Sequence, residues 1–137
     1  MQAKEEKGRV IARLMDGEDL FCSMAKLVED FKIKSAIIVS GIGMLREFEL
    51  NFFKDGKYLP AFRKEAMELV AMHGSIAEDG SLHIHCAVAG EDHTVMGGHL
   101  TKAKAAVLTE LVILKLDKVR IGREHNPKTG LRETTVS

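Results

Sequence analysis

The sequence predicts an α+β domain built mainly on an antiparallel sheet, and three observations carry that expectation. Only one stretch, Leu20 to Phe31, has apolar residues at the three-and-four spacing of a helical face. Most of the remaining chain consists of β-branched or alternating runs closed by glycine-containing turns. Strands and helices also fail to alternate in the regular way that a doubly wound parallel sheet requires. A chain of 137 residues is long enough for one substantial core and short for two, so a single domain over residues 1–137 is expected, with its core in 9–116 and a tail over 118–137.

Arg9 to Leu14 alternates and predicts a first strand, closed by Asp16-Gly17. Asp19 is placed to cap the helix that follows, whose apolar face carries Leu20, Phe21, Met24, Leu27, Val28 and Phe31. Ser35 to Ser40 contains the β-branched run Ile37-Ile38-Val39. A bend at Gly41-Ile42-Gly43 separates it from a second alternating strand, Leu45 to Phe53. Asp55-Gly56 is a hairpin turn, and Ala66 to Ala77 predicts a strand that ends at Glu78-Asp79-Gly80. Leu82 to Ala89 is its partner, closed by Gly90-Glu91-Asp92-His93, after which Thr94 to Leu100 returns. Lys102 to Ala106 is expected to add one helical turn before the long apolar strand Val107 to Leu116. Beyond Lys118 the chain offers a turn at Asn126-Pro127-Lys128-Thr129-Gly130 and little core.

The 20 basic and 20 acidic residues cancel, which removes any global field drawing the protein to nucleic acid or to an anionic membrane. Cys22 and Cys86 are too few for a disulfide framework and are expected to be reduced, largely buried thiols. Met1 to Lys7 is charged, and the longest aliphatic run, Leu111 to Leu114, is far too short to span a bilayer. These features predict a cytoplasmic protein with no membrane partner. There is no internal repeat and no low-complexity segment.

The chemistry concentrates in His83-Ile84-His85 and Gly97-Gly98-His99-Leu100. Residues two apart on a strand share a face, so His83 and His85 project together while Ile84 and Cys86 point the other way. In an antiparallel hairpin, His99 joins them only when paired residue numbers sum to an even value, which requires an odd-length connection or a bulge. Directly opposed side chains then start about 5 Å apart at Cβ, close enough for three imidazoles to meet at one ion. Three neutral histidines leave a tetrahedral zinc one open position for water or a small-molecule ligand, and the same donors suit nickel, copper or iron. The competing reading is a pair of solvent-facing strand histidines that never meet His99. Gly97 and Gly98 would admit backbone or ligand close to the ion, or form a bulge.

Among the other histidines, His73 on the neighbouring strand is a candidate fourth ligand, with a single hydrogen bond at the sheet edge as its plainer role; His93 belongs to a turn and His125 to the tail. Glu68 and Glu110 lie within apolar strands, where an ionised carboxylate is costly unless paired, and are the candidate catalytic residues as hydrogen-bond partners or general bases. Gly41-Ile42-Gly43 lacks the third glycine at a helix start that dinucleotide binding needs, and reads as turn chemistry. Cys86 has the opposite strand parity from His85 and is expected in the core.

Taken in order, Ser40-Gly41-Ile42-Gly43-Met44-Leu45-Arg46, Glu68 to Ile76, Leu82-His83-Ile84-His85, Gly97-Gly98-His99-Leu100 and Thr109-Glu110 resemble the motifs of the plants-and-prokaryotes-conserved (PPC) domain family, over about Arg9 to Leu116. The resemblance implies an α+β fold with a highly twisted, mostly antiparallel sheet, a few flanking helices and a homotrimeric assembly. It also implies a metal, usually taken as zinc, in prokaryotic members with the full histidine set, which transfers here to His83, His85 and His99. Plant members join the domain to an AT-hook in DNA-binding proteins. This chain has no Arg-Gly-Arg-Pro hook and reads Glu65-Ala66-Met67-Glu68-Leu69-Val70 where the plant pattern has Gly-Arg-Phe-Glu-Ile-Leu.

A zinc-binding homotrimer is thus the first expectation. A DNA-associated regulatory or scaffold protein is the second, and would need a basic patch such as Lys54, Lys57, Arg63 and Lys64, or Lys115, Lys118, Arg120 and Arg123. A cupin-like metalloenzyme is the third. Against it stand the helix at Asp19 to Phe31 and the lack of a glutamate three or four residues beyond His85, since Glu91 comes later.

Overall fold

The computed structural model describes residues 1–137. Strands β1 (Gln2–Glu6) and β2 (Arg9–Met15) precede a single helix, α1 (Leu20–Asp30). There follow β3 (Ala36–Lys54), β4 (Lys57–Arg63), β5 (Met67–Ile76), β6 (Leu82–Ala89), β7 (Val95–Lys115), β8 (Ile121–His125) and β9 (Arg132–Val136). β1 to β7 form a 7-stranded sheet in the order β1-β2-β7-β6-β5-β3-β4, and β8 and β9 form a separate hairpin. Every ladder is antiparallel. Because β7 also pairs with β3, the strands β3, β5, β6 and β7 form a closed circuit.

Closing a circuit with so few strands requires sharp coiling, and bulges supply it. The β3–β7 ladder shifts register at four places, between Ile38/Ser40, Gly43/Leu45, Arg46/Glu49 and Glu49/Leu50. One of them needs glycine: Gly43 has φ 121°, and a Cβ there would collide with the Leu108 carbonyl oxygen. Val107 sits at φ 60°, a costly conformation for a β-branched residue, and its N–H is held by Asp16 Oδ1 at 2.9 Å.

The helix forms for the reason its sequence suggests. Asp19 is the N-cap and accepts a hydrogen bond from the Cys22 N–H at 2.9 Å. Leu20, Met24 and Leu27 are fully buried against the inner residues of the sheet, among them Val10, Leu14, Ile38, Ile84 and Ile113. On β6 the parity is as expected: Ile84, Cys86 and Val88 are buried, whereas His83 and His85 face outward. The histidines therefore occupy the face of the sheet turned away from this core.

Several expectations are corrected. The helical turn over Lys102–Ala106 is absent: this segment is the middle of the 21-residue strand β7, whose alanines Ala103 and Ala105 point into the core at period two. The segments on either side of Gly41-Ile42-Gly43 are one bulged strand, β3. One helix is present where a few were expected. Residues 2–6 form a strand that the charged sequence hides, and the tail folds into a hairpin with Ile121 buried. Cys86 is buried, but Cys22 is exposed, and both are free thiols. No helix is long and apolar enough to cross a membrane.

Candidate metal centre

His85 and His99 stand directly opposite each other in the β6–β7 ladder, which continues to Ala89↔Val95 and leaves an odd-numbered connection, Gly90–Thr94. The parity condition is met without a bulge. Gly97 and Gly98 pair regularly with Ala87 and Cys86, and serve close backbone approach: a Cβ on Gly97 would lie 2.8 Å from the Cys86 carbonyl oxygen, and one on Gly98 2.9 Å from that of Asn51. Both distances are far inside van der Waals contact.

The three imidazoles form a triangle, with ring centroids 5.1 Å apart for His83–His85, 5.2 Å for His83–His99 and 5.4 Å for His85–His99. One nitrogen from each lies within 4.8 Å of the other two. His83 and His85 are exposed and His99 is half-buried. The buried Nδ1 of His99 has no hydrogen-bond partner in the protein, an arrangement that costs about 1–3 kcal/mol if the atom stays unsatisfied. Burial, and then the positive charge of Arg123, hold the pKa of His83 below the usual imidazole value; for His99 the order is burial, His85, Arg123. Neutral imidazole is the form that binds metal. An orphaned ring nitrogen and the convergence of three imidazoles both fit a transition-metal ion.

Two hairpins wall this site. From the β3–β4 hairpin, Tyr58 stacks on His99 with centroids 5.5 Å apart and an interplanar angle of 23°. From the opposite side the β8–β9 hairpin docks through four bonds. The Glu78 N–H donates to the Ile121 carbonyl at 2.8 Å, and the Ile121 N–H to Ser35 Oγ at 3.0 Å. Arg123 Nη2 donates to Ser75 Oγ at 2.7 Å, and Arg132 pairs with Asp79 at 2.9 Å. Between the walls lies a cavity of about 520 Å³ lined by His83, His99, Tyr58, Arg123, Arg132 and Glu133, among others.

His73 stands opposite His85 on β5, but its Nδ1 is engaged with the Val39 carbonyl at 3.0 Å, and it is outside the cluster. The Cys86 thiol is buried on the other face, which pushes its pKa up to about 11. Glu68, opposite Ala89 and Met44, and Glu110, opposite Arg13 and Ile42, are exposed, and neither lines the cavity beside the histidines. Tyr58 and Arg123 escaped the sequence reading because each comes from a hairpin whose docking no local pattern encodes. The available signs were the turns at Asp55-Gly56 and Asn126–Gly130, each of which implies a returning strand.

Comparison with known proteins agrees with this architecture. A family model described as the Plants and Prokaryotes Conserved (PCC) domain matches residues 1–117. A candidate DNA-binding protein from Bacteroides thetaiotaomicron has a similar structure, with a TM-score of 0.90 at 27% identity over 98% of this chain and 96% of that one. A metal-containing protein from Archaeoglobus fulgidus gives a TM-score of 0.85 at 27% identity, covering 98% and 96% of the two chains. A plant- and prokaryote-conserved protein from Pyrococcus horikoshii gives 0.81 at 25% identity, covering 96% and 93%. The chain is also 29% identical over 126 residues to the bifunctional protein GlmU of a Synechococcus species, a match to 90% of this chain that spans only 19% of that curated relative's length.

Proposed function

Since the chain belongs to the Plants and Prokaryotes Conserved domain family, we propose that it is a metal-binding protein of that family in which His83, His85 and His99 hold one divalent ion, zinc in the first place. The observation that carries this reading is the convergence of three imidazole nitrogens within 4.8 Å, one histidine having a buried nitrogen with no protein partner. Bonds of about 2.0–2.1 Å at tetrahedral angles place donors roughly 3.4 Å apart, a distance that small side-chain rotations close. The metal-containing relative from Archaeoglobus fulgidus adds support from a fold that superposes over nearly the whole chain. Held by His83, His85 and His99, such an ion would supply Lewis-acid chemistry, activating a water or polarising a carbonyl. The chain's own residues supply the setting: Tyr58 stacks on His99, the β8–β9 hairpin walls the site, and burial, followed by the charge of Arg123, holds the pKa of His83 down.

The reading includes a homotrimer. Its support is an apolar band on the outer face of the sheet, where Ile11, Ile37, Val39, Ile42 and Leu114 are each between 37% and 52% exposed. DNA association, suggested by the name of the Bacteroides relative, has less behind it. Of the second basic patch, Lys115 and Arg120 are paired with carboxylates; Lys54, Lys57, Arg63 and Lys64 of the first are exposed without salt bridges, but no net positive charge of the chain adds to them.

Elemental analysis of protein dialysed after exposure to zinc tests the proposal. Wild-type protein is expected to retain one zinc per chain, and His83→Ala and His99→Ala to retain none. Equal zinc content in all three would refute it.

A further inference from the structure

The cavity wall facing the histidines carries a guanidinium, Arg123, that forms no salt bridge within the protein. Arg123 reaches from β8 to β5, where Nη2 donates to Ser75 Oγ at 2.7 Å, and Nη1 donates to Thr134 Oγ1 across the hairpin. Ser75 stands opposite His83 in the β5–β6 ladder, which places the guanidinium beside the histidine cluster. Arg123 has no salt bridge, whereas Arg132 on the same hairpin pairs with Asp79. Glu133, the one carboxylate lining the cavity, is already occupied: Thr129 Oγ1 donates to one of its oxygens and Asn126 Nδ2 to the other.

A guanidinium cannot shed its proton, so a partly desolvated one without a counter-ion stays charged at a cost. It has five N–H donors in a fixed fork, and the two hydroxyl contacts use one each on Nη1 and Nη2, leaving three. Those hydroxyls also fix its orientation. The cavity therefore presents a preoriented guanidinium without a salt bridge next to His83 and His99, an environment in which a carboxylate or phosphate makes short charge-assisted bonds. Arg123 also lies beyond residues 1–117, the span that the family model matches.

We infer that this cavity binds a small molecule bearing a carboxylate or phosphate, its oxyanion held by Arg123 while a second donor atom reaches the open position of the metal. The inference rests on the proposed metal site for the second anchor and on Arg123 alone for the first.

Calorimetric titration of zinc-loaded and metal-free protein with inorganic phosphate and with succinate, against succinamide as an uncharged control, tests it. Saturable binding of at least one anion and none of succinamide is expected. Affinity should fall roughly tenfold or more in Arg123→Gln and recover in part in Arg123→Lys, with zinc content and far-ultraviolet circular dichroism unchanged. A preference for phosphate or for succinate names the oxyanion and sustains the inference. Arg123-dependent anion binding to a protein that takes up no zinc would refute the metal reading and with it the second anchor, and would sustain the oxyanion site at Arg123. Absence of saturable binding to wild-type protein, or equal binding to Arg123→Gln, overturns it. Should Arg123→Gln fail to fold, the wild-type Arg123 Nε–H resonance decides: a saturable phosphate-induced shift supports the inference, and no shift overturns it.

Discussion

His99 joins three features of the site. It stands opposite His85, it stacks beneath Tyr58, and its Nδ1 is buried without a protein partner. His73 shows by contrast how a histidine on the same rung can be diverted: its Nδ1 is spent on the Val39 carbonyl. His73→Ala is accordingly expected to leave zinc content unchanged in elemental analysis. The histidine trio is readable from the sequence because strand parity is a hard rule. Tyr58 and Arg123 are not, since their positions depend on docked hairpins. Strain is also a residue-scale matter. Val107 holds φ 60° at a bulge, a conformation glycine adopts freely. Val107→Gly is expected to stabilise the protein by up to about 1 kcal/mol in urea denaturation, strain relief outweighing the flexibility that glycine adds to the unfolded chain. Gly98→Ala should destabilise it by about 1–3 kcal/mol, because the new methyl group would meet the Asn51 carbonyl.

At the scale of elements, the β8–β9 hairpin decides what the site can enclose. Its attachment is polar, and one of its bonds responds to acid. The Asp79 carboxyl is held down at about 2 by the Ser81 hydroxyl, the Ser81 N–H and Arg132, against an ordinary value of 3.8. As pH falls, the free carboxyl takes up its proton before the bonded one does. The contribution to docking is therefore complete above pH 4 or so and is lost as pH falls toward about 2. Amide protection factors at residues 121–125, which are corrected for the intrinsic pH dependence of exchange, should fall across that window in wild-type protein and change little in Asp79→Asn. The sequence conceals this element because its strands are short, polar and exposed, with Ile121 alone buried. The middle of β7 misleads for the opposite reason. Its alanines suggest helix by propensity, yet they are small because that side of the strand is packed inside the circuit of β3, β5, β6 and β7.

At the scale of the whole molecule, one face of the sheet carries the helix and core while the other carries the histidines and an apolar band. The fold class was legible because alternation, turn glycines and a lone amphipathic helix all point the same way. The continuity of β3 and β7 was not, because bulges interrupt the alternation that marks a strand. The exposed band supports the proposed trimer, and Ile42→Glu is expected to shift that assembly to monomers in light scattering coupled to size exclusion. The central claim remains the three-histidine ion. X-ray absorption at the zinc edge of the zinc-loaded protein reads its donors directly. Three imidazole nitrogens at about 2.0–2.1 Å with one further light donor are expected; a sulfur shell near 2.3 Å, or fewer than three imidazoles, would rule out the three-histidine site.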